Sequence, residues 1–166
     1  PELDGRRERS PGDVAALHAA VTTEGADPYV GKRLYSEACG RCHRLFGEGG
    51  EVGPDLTSDP RNDLNRLLGA IVSPSAEIRE GFEGYTAVTT DGRIVAGLMT
   101  DQDDHVVVLR EADGRTVTLR RDEIEELVRQ PKSLMPDGLL DRMTADEVRD
   151  LFAYLRTSQP LNDAAR

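Results

Sequence analysis

The stretch Leu34-Tyr35-Ser36-Glu37-Ala38-Cys39-Gly40-Arg41-Cys42-His43 decides how the rest of the chain is read. Upstream of the cysteines, Pro28 suits a first helical turn. Val30, Leu34 and Ala38 fall on one stripe, with Gly31 and Tyr35 beside it, which predicts a helix over 28–38 that ends at the cysteine motif. Gly31 costs helix stability, so a close contact with another helix would justify it. Cys39 and Cys42 are the only cysteines. A redox dithiol usually opens a helix after a strand, whereas this pair closes one. A zinc site needs two more ligands, and His18 and His105 are not paired at any zinc-like spacing. A disulfide across two intervening residues closes too small a loop to stabilise much.

Covalent attachment of haem c accounts for every residue type in Cys39-x-x-Cys42-His43. Two thiols spaced by two residues at a helix end reach the two vinyl groups of one porphyrin. The His that follows is held below the iron, where an imidazole nitrogen coordinates it. One haem would use both thiols, which leaves none for disulfides. The wider composition agrees. Only 4% of residues are aromatic and none is Trp, so the core is thin and a buried prosthetic group would help fill it. Arg41 lies inside the motif and is a candidate for contact with a haem propionate, although an exposed Arg is the commoner outcome.

The net charge is −10, from 31 acidic and 21 basic residues. Binding nucleic acid or an anionic membrane needs a basic surface, so both are argued against. A redox partner with a basic docking patch would be steered in, although an acidic surface also serves solubility alone. No run of 18 apolar residues is present, so no transmembrane segment is expected. The first ten residues are charged, unlike a signal peptide, and a start at Pro1 looks like a processed or excised chain.

Along the rest of the chain, Asp13 caps a possible short helix to Val21, inside an N-terminal arm or linker over 1–27. Glycines and Pro54 make 44–58 a loop. Asp59-Pro60 reads as the start of an amphipathic helix carrying Leu64, Leu67, Leu68 and Ile71, which Pro74 ends. Four strands split by Asp-Gly or Asp-rich turns over 84–120 predict an antiparallel meander. Asp122 to Val128 reads as a short helical turn. Thr144 and Glu147 form a capping box for a last helix with Val148, Leu151, Phe152 and Leu155 on one face.

Haem iron has a second axial position, and three methionines compete for it. Met143 precedes the cap Thr144 and has a sufficient job as a hydrophobic staple against Val148. Met99 ends a predicted strand and reads as packing. Met135 lies in Ser133-Leu134-Met135-Pro136-Asp137-Gly138, a loop that can present a thioether to a metal. The alternative is that it plugs a gap in the core. Leu45, Phe46, Leu56, Leu68 and Leu139 are candidate haem-pocket walls and equally plausible core.

Gly31 and Tyr35 before the cysteines, Gly53-Pro54-Asp55-Leu56 after them, a Met-Pro loop and a terminal Leu-x-x-Tyr-Leu helix together resemble a class I c-type cytochrome. Ile71-Val-Ser-Pro-Ser-Ala-Glu-Ile, the strand-rich insert and Ser133-Leu-Met-Pro-Asp-Gly-Leu-Leu are most similar to a haem-binding domain found in Planctomycetes and Verrucomicrobia proteins. The resemblance covers about residues 29–157. It implies that Met135 is the distal ligand. It also implies that the Pro54 carbonyl accepts a hydrogen bond from His43, and that Gly31 and Tyr35 meet the last helix near Leu151 and Tyr154.

The expected fold is mainly α: a cytochrome c-like haem domain over 28–83 and 131–158, with an inserted antiparallel β subdomain over 84–130 and a tail over 159–166. The expected function is single-electron transfer by one His/Met-ligated haem in the periplasm, as a non-enzymatic carrier or as a module of an oxidoreductase. The alternative is a gas sensor or peroxidase-like protein with a displaceable Met135, and a third reading is a scaffold in which the insert binds a partner. The identity of the partner and the oligomeric state are not legible in the residues.

Overall fold

A computed structural model describes residues 11–162. Four helices are present: α1 (Pro11–Thr22), α2 (Pro28–Ala38), α3 (Leu64–Val72) and α4 (Ala145–Leu155). Two-residue strands β1 (Arg44–Leu45) and β2 (Glu48–Gly49) form a small hairpin, so the 44–58 loop holds some regular structure. Five longer strands follow: β3 (Gly84–Thr89), β4 (Ile94–Gln102), β5 (Val106–Arg110), β6 (Thr116–Arg120) and β7 (Ile124–Arg129).

The expectation of a mainly α protein is wrong. The described residues are 29% helix and 23% strand, with one five-stranded antiparallel sheet among them. Two causes combine. None of the four helices exceeds 12 residues. The stretch Asp122 to Val128, expected as a short helical turn, is helical only in the 3-10 turn Arg121–Glu123, and from Ile124 it is an edge strand paired with β3. Ile-Glu-Glu-Leu-Val has no clean two-residue alternation, and its strand state comes from a partner far away in sequence.

The strand order is β6-β5-β4-β3-β7. The first four strands are a meander, and the fifth pairs back onto the first. A three-residue linker reaches about 14 Å, whereas a flat sheet of five strands is about 19 Å wide. The sheet therefore coils to bring its edges together, and it closes over Ala87, Val95, Val107, Leu109 and Leu119.

A second core holds the helices together, built from Tyr35, Leu45, Leu68, Val148, Leu151, Phe152 and Leu155. Its centre is the crossing of α2 and α4. A methyl group at Gly31 would overlap the Asp150 carbonyl and sit 2.8 Å from Tyr154 Cβ, so only glycine lets the two backbones approach this closely. The rings of Tyr35 and Tyr154 lie 5.4 Å apart, tilted by 58°. The buried Asp150 carboxylate accepts from the Asp27 amide at 3.0 Å, tying the start of α2 to the middle of α4.

The capping box of α4 forms as expected. Thr144 Oγ1 accepts from the Glu147 amide at 3.2 Å, and Glu147 Oε2 accepts from the Thr144 amide at 2.7 Å. One other expectation fails. The cap of α3 is Asp63, which accepts from the Arg66 amide at 3.0 Å, while Asp59 is taken up by an ion pair with Arg79. The short helix expected from Asp13 to Val21 is present within α1, and its Val14, Leu17 and Val21 pack against the helical core. Asp13 falls within α1 and not at its cap, and residues 1–10 and 163–166 lie outside the described residues.

Candidate haem-attachment site

The site starts where α2 stops. The Cys39 amide donates to the Tyr35 carbonyl at 2.8 Å, and the His43 amide donates to the Cys39 carbonyl at 2.9 Å, so 39–43 turns tightly off the helix end. The following loop then folds back over the motif. The Gly50 amide donates to the Gly40 carbonyl at 2.9 Å, and the Gly53 amide to the Cys42 carbonyl at 2.8 Å. Tyr35 Oη donates to the His43 carbonyl at 2.8 Å, fixing the motif to α2 from below.

His43 is oriented by this loop. Its Nδ1 lies 2.9 Å from the Pro54 carbonyl oxygen. A carbonyl only accepts, so Nδ1 carries the proton and Nε2 keeps its lone pair, the form in which imidazole binds a metal. Gly53 lies flat on the ring: a Cβ there would be 2.5 Å from His43 Cε1 and 2.8 Å from Nδ1. The glycine of Gly53-Pro54-Asp55-Leu56 thus makes room for the imidazole, and the proline after it supplies the acceptor.

Cys39 and Cys42 are free and partly buried. Burial, and then the neighbouring Cys42, pushes the Cys39 thiol up to about 11 from 9.0. Reactive dithiols need a lowered pKa, so this thiol does not suit redox exchange. Haem fits the donor set better: two unbridged thiols and an imidazole with a free Nε2.

Several of the expected residues lie at the edge of the helical core. Cys39, Phe46, Leu56 and Met135 are all half-buried against the core that contains Leu45 and Leu68. Leu139 is half-buried, while its neighbour Leu140 is the residue inside the core. Arg41 is exposed. Met143 packs against the same core as Val148, in keeping with a staple. Met99 packs on the sheet core and lines a cleft shared with Gly50 and Gly53 of the histidine loop. The Met135 loop has neither helix nor strand. It is pinned by the Met135 amide donating to Ser133 Oγ at 3.1 Å, and by the Ser133 amide donating to Ser75 Oγ at 3.1 Å.

Sequence reasoning missed Arg61, which is only 8% exposed. Its guanidinium donates to the carbonyls of Leu155, Thr157 and Thr57, and it lies 5.1 Å from the centre of the Phe46 ring. It closes the end of α4 onto the loop that follows Leu56. No helical or strand period marks Arg61, so its burial has no local signal.

A helix-terminal thiol pair, followed by a histidine whose second nitrogen is held by a backbone carbonyl, defines a protein that anchors haem covalently. The chain belongs to the cytochrome c family, whose family model matches residues 30–159. Members are in general haem-binding electron-transfer proteins, typically outside the cytoplasm in bacteria, and the family implies covalently bound haem c. No curated protein matches the chain. No helix among the described residues is long and apolar enough to cross a membrane.

Proposed function

We propose that the chain is a monohaem cytochrome that passes single electrons, with the haem bound through Cys39 and Cys42 and its iron held between His43 and Met135. The observation that carries this reading is the 2.9 Å bond between His43 Nδ1 and the Pro54 carbonyl, which leaves Nε2 free for iron. When bound, the haem supplies one-electron chemistry. The chain supplies the rest. Cys39 and Cys42 anchor the porphyrin, Gly53 and Pro54 aim the imidazole, and the pinned loop offers the Met135 thioether. With both His43 and Met135 as ligands the iron would have no position open to a substrate, which favours electron transfer over the gas-binding or peroxidase-like alternative.

The resemblance to the Planctomycetes and Verrucomicrobia haem domains supports a place as an electron-relay module beside a periplasmic oxidoreductase. The net charge of −10 supports a redox partner with a basic docking patch. The decisive test is the absorption spectrum of the oxidised protein with and without Met135→Ala. The far-red sulfur-to-iron band is expected in the wild type and absent from the variant. A wild type without that band overturns Met135 as ligand. Rapid, tight carbon monoxide binding by the reduced wild type at neutral pH would favour the sensor reading instead.

A further inference from the structure

The sheet reaches the His43 loop through one guanidinium. Arg110, the last residue of β5, donates from Nη1 to the Glu51 carbonyl at 2.8 Å, across 59 residues of sequence. Its backbone is anchored in the sheet opposite the buried Leu98. The Glu51 carboxylate is held in turn by Arg44, the residue next to His43. Two positions beyond Glu51, Gly53 lies on the imidazole, and Pro54 accepts from it. A cleft of about 400 Å³, lined by Gly50, Gly53, Met99 and Arg110 among others, separates the loop from the sheet. Across that cleft the Arg110 bond is directional and charge-assisted, and it links the loop to the sheet.

We propose that Arg110 is a positioning residue for His43: by holding the Glu51 carbonyl it fixes the 51–54 turn whose Pro54 carbonyl orients the imidazole. This rests on the reading of His43 as the iron ligand. It gives the β insert a role in tuning the haem, because a partner that holds a ligand's second nitrogen sets the basicity of that ligand.

The test is hydrogen exchange, followed by NMR, at the Gly53 amide and at His43 Nδ1–H. It compares wild type, Arg110→Ala and Arg110→Lys, each with and without haem, with the Val107 and Leu109 amides as a control on the sheet. Arg110→Ala is expected to speed exchange at both loop sites by about fivefold while the sheet amides hold. Arg110→Lys, which keeps a charged donor, should recover part of that loss. Unchanged exchange at Gly53 and His43 in Arg110→Ala, with an intact sheet, overturns the proposal. If Arg110→Ala loosens the sheet as well, Arg110→Lys decides: rates at Gly53 and His43 must lie between wild type and alanine, and rates as fast as the alanine variant's overturn it. A wild type that takes up no haem would refute the ligand reading alone, because Gly53 exchange in the haem-free chain still reports whether Arg110 holds the loop.

Discussion

Gly53 is the residue on which the imidazole rests, and it shows how a single hydrogen atom can carry a site. A Cβ there would come within 2.5 Å of His43 Cε1. Gly53→Ala must therefore push the ring or the turn aside and break the Nδ1 bond to Pro54. The expected outcome is a sharp loss of haem-loaded protein, measured by haem content per chain, while α2 and α4 keep their far-UV signal. Arg61 makes the opposite case, a large charged residue that is buried. Arg61→Ala strips a donor from three backbone carbonyls near the end of α4 and should cost about 3 kcal/mol in a urea melt. The two residues differ in how legible they were. Gly53 stands in a recognisable run with Pro54, Asp55 and Leu56. Arg61 reads as one more charge in a polar stretch, because what buries it is the end of a helix far away in the sequence.

Elements were legible where their signals are local. Pro28 begins α2, Thr144 and Glu147 cap α4, and the Asp-Gly turns punctuate the meander, all from interactions within a few residues. Signals failed where a distant partner decided the outcome. Asp59-Pro60 had the look of a helix start, but Arg79 claims the Asp59 carboxylate and Asp63 caps α3 instead. Strand β7 exists because β3 offers an open edge. The crossing of α2 and α4 carries the element-scale prediction. Gly31→Ala places a methyl inside the Asp150 carbonyl, against backbone that cannot swing away. The helices must separate, at a cost of about 3 kcal/mol seen as a lower denaturation midpoint. Thr144→Ala, which removes only a cap, should cost about 1 kcal/mol.

At the scale of the molecule, the described residues form two cores, one helical and one inside the coiled sheet, linked beside the histidine loop by Arg110. Its dependence on pH follows from what the helical core buries. In the haem-free chain the Cys39 pKa is raised from 9.0 to about 11, chiefly by burial, so the folded state holds the thiol proton more tightly than the unfolded one. That contribution is fully present below about 9 and is lost as pH climbs to about 11. Tyr35 is shifted upward in the same sense by its own burial. A thioether has no such proton, so the haem-loaded chain lacks the Cys39 part of this loss. Urea melts from pH 8 to 11 should therefore fall more steeply for the haem-free chain, and equal slopes would contradict the burial of Cys39.

Cys39 and Cys42 are proposed to hold one porphyrin covalently, and mass spectrometry of the denatured chain tests that most directly. After expression with haem-maturation machinery, the mass should rise by one haem, with neither cysteine open to alkylation. A chain at its bare polypeptide mass with two alkylatable thiols would contradict it.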